Sequence, residues 1–139
     1  MKKIICIIAF LAIITVSAKA QNKLTIVVNG IENIEGNIMT ALFNSAETFC
    51  TPKALNGKMT QITGKTIEVI FENIADGEYA IAMFQDENNN YTLDLGENHI
   101  PTERWGFSNN AIPIAGPPAF ETCKFNVSED TKISITLQK

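Results

Sequence analysis

From residue 22 onward, apolar and polar side chains alternate in short runs bounded by turn-forming residues, and no stretch sustains a 3.6-residue apolar period. Leu24, Ile26 and Val28 alternate ahead of Asn29-Gly30. After Glu35-Gly36, Ile38, Thr40 and Leu42 fall on one face and Met39, Ala41 and Phe43 on the other. Ile67, Val69 and Phe71 line a third run, Tyr79, Ile81 and Met83 a fourth, Cys123, Phe125 and Val127 another, and Ile133, Ile135 and Leu137 the last. A period of two is that of a strand with one face buried. Such a sheet must bury that face against a second layer, so the pattern predicts an all-β, antiparallel Greek-key β-sandwich of about seven strands. Residues 44–65 carry the weakest pattern and are read as a small helix or an irregular crossover. Residues 100–120 are read as one long Pro/Gly-rich loop.

One turn has a more specific form. Ile74-Ala75-Asp76-Gly77-Glu78-Tyr79 places a Tyr two residues after a Gly at a tight turn, the arrangement of a tyrosine corner. In that motif the phenol bonds back to the backbone, so Tyr79 is assigned a structural role.

The first twenty residues differ from all of this. Lys2 and Lys3 precede a nearly unbroken apolar run from Ile4 to Val16, and Ala18-Lys19-Ala20 supplies a small-x-small cleavage pattern. The run is shorter than the roughly 20 apolar residues a membrane-spanning helix needs. Residues 1–20 are therefore read as a signal peptide and 21–139 as the mature domain, exported to the periplasm or secreted, with no stable membrane insertion after cleavage. Cys6 lies inside the apolar run, which is the wrong place for a lipidated cysteine.

Removing that segment sharpens the charge. The whole chain carries a formal −4 at pH 7; losing Lys2, Lys3 and Lys19 leaves eight basic residues against fifteen acids, a net charge of −7. An acidic domain disfavours nucleic acid and anionic lipid as partners, and a single His argues against a His-rich metal site. Cys50 and Cys123 remain as a candidate disulfide in an oxidising compartment, although two thiols so far apart in sequence need not meet.

The segment richest in chemistry is Asp86-Glu87-Asn88-Asn89-Asn90-Tyr91-Thr92-Leu93-Asp94-Leu95-Gly96-Glu97. It fits the calcium-loop template D-x-[DN]-x-[DN]-G-x5-E at every fixed position except the sixth. Side-chain oxygens at alternate positions of a coiled loop converge, and Ca²⁺ takes six to eight of them. Asp86, Asn88, Asn90, the Thr92 carbonyl, Asp94 and Glu97 are the candidate donors. Tyr91 stands where the template has Gly, and no helices flank the loop. The competing reading is a solvated, Asn-rich connection with no metal.

Trp105, Phe107 and Phe120 are expected to pack the 100–120 segment onto the sandwich. Alternatively, Trp105 and Tyr91 offer a flat surface for a glycan or peptide. Enzyme chemistry has little support: Ser108, His99 and Glu103 could be drawn as a triad, but no nucleophile-elbow motif accompanies them. The sequons at Asn90 and Asn126 matter only in a host that glycosylates them.

Several motifs together resemble a family of exported bacterial proteins catalogued as a domain of unknown function. They are Gly77-Glu78-Tyr79-Ala80-Ile81-Ala82, Asp86-Glu87-Asn88-Asn89-Asn90, Ile100-Pro101-Thr102-Glu103, Trp105-Gly106-Phe107-Ser108-Asn109-Asn110 and Gly116-Pro117-Pro118-Ala119-Phe120-Glu121. The family pattern is similar to G-x-Y-A-I-A-x-x-x-D-E-N-x-N-G-x-x-D, then G-I-P-x-E-x-x-G-F-S-N-N, then G-P-P-x-F-E. Tyr91 and His99 replace Gly here, and so does Arg104. The resemblance implies an immunoglobulin-like or prealbumin-like sandwich with no established reaction, and it carries over Asp86, Asn88, Asn90 and Asp94. The resulting expectation is an exported, non-enzymatic binding or accessory module with a protein or glycan partner and a candidate Ca²⁺ loop. A glycan or peptide receptor is the alternative, and a small hydrolase is the weakest reading.

Overall fold

The computed structural model describes residues 21–139, so the signal-peptide expectation lies outside the described residues. Eight strands follow one another: β1 (Asn22–Asn29), β2 (Asn37–Phe43), β3 (Asn56–Gln61), β4 (Ile67–Ile74), β5 (Gly77–Asp86), β6 (Trp105–Phe107), β7 (Phe125–Val127) and β8 (Thr131–Thr136). One helical turn, α1 (Phe120–Cys123), precedes β7. The smaller sheet has the order β4-β1-β8; the larger runs β3-β2-β5-β6, with β7 pairing the start of β5. The expected β-sandwich is the observed architecture.

Period-two burial explains the two layers. Leu24, Ile26, Val28, Val69, Phe71 and Ile135 from the smaller sheet meet Ile38, Leu42, Ile81 and Met83 from the larger in a single cluster. Each such side chain contributes on the order of 1.5–3 kcal/mol through removal from water. Between them runs β1, paired on one side with β4 (Ile26 opposite Val69) and on the other with β8 (Ile26 opposite Ile133). The β1–β8 pair is parallel, which corrects the wholly antiparallel arrangement expected from sequence. A period of two gives the face of each side chain but not the direction of its neighbour.

Two further corrections concern the least patterned segments. Residues 56–61 form a strand, β3, antiparallel to β2 with Met39 opposite Met59. It is an edge strand exposed almost throughout, and so carries no apolar alternation to read. The 100–120 segment is not one long loop, because it contains β6 and a 3₁₀ turn over Ser108–Asn110. Trp105 and Phe107 pair with Phe84 and Ala82, and Trp105 exchanges both backbone hydrogen bonds with Gln138, at 2.9 and 2.8 Å. Gly106 permits this seam, since a Cβ there would sit 2.7 Å from Ile135 Cγ2.

The outer face of the larger sheet is also covered. Ala80, Ala111, Phe120 and Cys123 form a second buried cluster, with Phe49 and Phe107 packed against it. Phe49 sits edge-on to Phe43, at 5.3 Å between ring centroids, and to Phe120, at 5.8 Å. The crossover after β2 therefore lies over the sheet as a flap pinned by an aromatic ring. The tyrosine corner forms as read: Tyr79 is buried and its hydroxyl donates to the Ala75 carbonyl at 2.8 Å.

Candidate functional site

The site begins where β5 leaves the sheet. Gln85 and Asp86 are fully buried there, although both are polar. The Gln85 amide donates to the Asn33 and Glu35 carbonyls, at 2.9 and 3.1 Å, and so ties the β1–β2 connection to the loop that follows. Asp86 spends its carboxylate on the loop itself. Oδ1 accepts the Asn90 N–H at 3.1 Å and Oδ2 the Tyr91 N–H at 2.9 Å.

Those two bonds curl the chain, and the next side chains continue the coil. Asn88 Oδ1 accepts the Asn90 N–H at 3.1 Å, and Asn90 Oδ1 accepts both the N–H and the hydroxyl of Thr92 at 3.0 Å. Asp94 is the hub: Asn88 Nδ2 donates to its Oδ2 at 2.6 Å and Asn90 Nδ2 to its Oδ1 at 2.8 Å. Asp86, Asn88, Asn90, Thr92 and Asp94 thus belong to one hydrogen-bonded coil. Tyr91 takes the left-handed conformation, φ +65°, at the position where the calcium-loop template has Gly. The coil closes despite the bulkier residue.

Glu97 is placed elsewhere. Residues 94–102 make a small hairpin in which Leu95 faces Pro101 and the Thr102 N–H donates to the Asp94 carbonyl at 2.9 Å. Glu97 is exposed on the 3₁₀ turn at its tip, Glu97–His99. A different acid, named from the sequence only as a member of a drawn triad, reaches the coil. Glu103 is nearly buried, and its Oε1 accepts the Glu87 N–H at 2.9 Å while Oε2 accepts the Asp94 N–H at 3.0 Å. One carboxylate therefore spans both ends of the loop. Only its sequence distance, sixteen residues from Glu87, hid it.

Chemically, the coil offers oxygen donors with two carboxylates, Asp86 and Asp94. Among the described residues no three of His, Cys, Asp and Glu cluster as a metal-binding group. Such a donor set suits a hard cation rather than a soft or imidazole-seeking one. Asp94 already accepts two amide donors, with which a cation there would have to compete.

The other candidate residues are dispersed. Tyr91 is 65% exposed, while Trp105 is half-buried with its ring 5.7 Å from Phe107. Trp105 thus serves first to pack β6. A groove of about 480 Å³, lined by Gly36, Asn37, Met59, Gln61 and Asn89, borders the coil, and the Asn37 amide donates to Asn89 Oδ1 at 2.6 Å across it. Ser108 is buried; its Oγ donates to the Cys123 carbonyl at 2.6 Å and accepts the Ile81 N–H at 2.9 Å. Of the residues drawn as a triad, Glu103 is bonded to the coil, Ser108 to Ile81 and Cys123, and His99 is exposed on the hairpin tip. Cys50 and Cys123 carry free thiols, the first exposed and the second buried.

Comparison with curated proteins and with solved structures finds no match. Residues 26–135, most of the described domain, match the family model described as "Uncharacterized protein conserved in bacteria (DUF2141)". The chain that folds into this sandwich and coil belongs to the DUF2141 family.

Proposed function

We propose that the protein is an exported, non-enzymatic binding or accessory module whose Asp86 coil is stiffened by Ca²⁺ of low affinity. The observation that carries this reading is the gathering of the Asp86, Asn88, Asn90 and Asp94 side chains into one coil at the end of β5. Export is supported by the signal-like first twenty residues, and the acidity of the remainder is compatible with binding a cation. The strand order supports the prealbumin-like alternative for the sandwich. β1 lies between β4 and β8, whereas immunoglobulin domains place their first strand in a sheet with the second, fourth and fifth.

The test is thermal. An ion that binds the folded state alone stabilises it by RT ln(1 + [L]/Kd). For a Kd of about 0.1–1 mM, as in extracellular Ca²⁺ modules, 10 mM Ca²⁺ adds roughly 1.4–2.7 kcal/mol and raises Tm by several degrees. Asp94→Asn, which alters the hub of the coil but leaves both Asp86 bonds, abolishes the rise with little effect on the Ca²⁺-free Tm. A Tm indifferent to 10 mM Ca²⁺ removes the ion from the proposal.

A second reading, a glycan-binding receptor, draws on the amide-lined groove beside Asn89 and the exposed Tyr91 ring. Amides and an aromatic face are the groups that recognise a sugar's hydroxyls and its apolar side. Screening a glycan array with the wild type and with Tyr91→Ala and Trp105→Ala decides it; binding unchanged by both substitutions, or no binding at all, counts against this reading.

A further inference from the structure

The flap over the larger sheet brings two cysteines to the same patch from positions 73 residues apart in sequence. Cys50 follows directly on Phe49, whose ring packs against Phe120 and the cluster containing Cys123. Phe120 and Cys123 are the first and last residues of α1, so one helical turn carries both the ring that holds the flap and the buried thiol. A tight turn presents Cys50: the Thr51 N–H and hydroxyl both bond the Thr48 carbonyl, at 3.0 and 2.7 Å, and Cys50 adopts φ +56°. That left-handed conformation is uncommon for a residue other than Gly, Asn or Asp.

The geometry points to a Cys50–Cys123 disulfide that fastens the crossover after β2 to α1 across the outer face of the larger sheet. It rests on the export reading above, because such a bond persists where the surroundings are oxidising. An external disulfide, either oxidised glutathione or that of a thiol oxidoreductase, is the oxidant. The Cys50 thiolate, exposed, attacks it, forming a mixed disulfide and releasing one thiol. Cys123, having lost its proton, then attacks the Cys50 sulfur and expels the second thiol. Two S–H bonds are replaced by one S–S bond, and two electrons with two protons leave in the reduced oxidant.

The thiols' surroundings fit a structural bond rather than a reactive pair. Desolvation, and then the nearby Cys123, push the Cys50 thiol up to about 11; burial pushes Cys123 up to about 11. Thiolates are scarce in such sites, so both attacks are slow at neutral pH and quicken as the pH rises. High-pKa thiols are also poor leaving groups, and a disulfide between them resists exchange once made.

The test uses the full chain, folded, reduced and then incubated with oxidised glutathione, followed by blocking of remaining thiols and tryptic mapping without reductant. The expected product links the peptide Leu24–Lys53 to the peptide Trp105–Lys124 and leaves Cys6 outside the link. Oxidation raises Tm by about 10 °C over the reduced protein. Cys50→Ser, at an exposed position, folds but shows neither the linked peptide nor the rise. Glutathione retained on Cys50 with Cys123 unlinked, or two blocked thiols in the folded wild type, overturns the disulfide. Because the oxidant is supplied, this outcome is independent of the export reading. Export is tested separately by locating the protein after cell fractionation.

Discussion

Gly36 shows how little freedom a single residue has at the loop end of the sandwich. It adopts φ +71°, and a Cβ there would lie 1.9 Å from the Asp86 carbonyl oxygen. Backbone meets backbone, so neither partner can step aside by changing rotamer. Gly36→Ala is expected to cost about 3 kcal/mol or more, from left-handed strain and displacement of the Asp86 peptide. Gly57→Ala is the matched control: its nearest neighbour, the Thr40 carbonyl oxygen, is 3.8 Å away, and its cost should stay near about 0.5–1 kcal/mol in either direction. Urea denaturation reads both as shifts of midpoint at unchanged slope. Equal midpoints for the two variants would contradict the close approach. At this scale the sequence was informative where chemistry is local. Tyr79 and its Gly announced the corner, and Asp86, Asn88 and Asn90 announced the coil. Glu103 could not be found this way, because its role depends on a hairpin that returns it to Glu87.

Among the elements, the coil is held from two sides, by Asp86 at its start and by Glu103 across its base. Glu103→Gln replaces one of two acceptor oxygens with an N–H₂ group facing an N–H donor. Either the Glu87 or the Asp94 amide then lacks a partner, at about 1–3 kcal/mol for a buried donor. The expected result is local. Hydrogen exchange of the Glu87 and Asp94 amides speeds up by roughly 10–100-fold, while amides of β1 keep their protection. Uniform acceleration across the domain would mean that Glu103 supports the whole fold instead. The legibility of elements followed the same division between local and distant causes. β1, β2, β4, β5 and β8 bury alternate side chains and so were legible, whereas of the run Cys123, Phe125, Val127 only β7 (Phe125–Val127) is strand, Cys123 being the last residue of α1. β3, Asn56-Gly57-Lys58-Met59-Thr60-Gln61, buries almost nothing, and β6 has three residues around a Gly. Both exist because a neighbouring strand supplies the hydrogen bonds, and a neighbour's presence is not written in a strand's own pattern.

For the molecule as a whole, the buried thiol of Cys123 makes stability depend on pH. Its folded pKa is raised from 9.0 to about 11, so the folded state holds its proton over a range in which the unfolded chain has released it. Stability from this source is complete below pH 9 and is lost as pH rises towards 11, amounting to at most about 2–3 kcal/mol. Reduced protein should therefore lose denaturation free energy between pH 9 and 11 more steeply than the oxidised form, which has no thiol there to titrate. Parallel pH profiles for the two forms would remove Cys123 from the account.

The parallel pairing of β1 with β8 reaches beyond the finished structure. β1 is the central strand of its sheet, yet one of its two neighbours, Thr131–Thr136, lies 107 residues further along the chain, Leu24 facing Thr131. Until the ribosome has delivered that segment, Leu24, Ile26 and Val28 have one flank open and no complete layer to join. Contacts between such distant parts of a chain form slowly, because the intervening chain must first be closed into a loop. The topology thus delays completion of the smaller sheet until residues 131–136 have been made and have returned to β1.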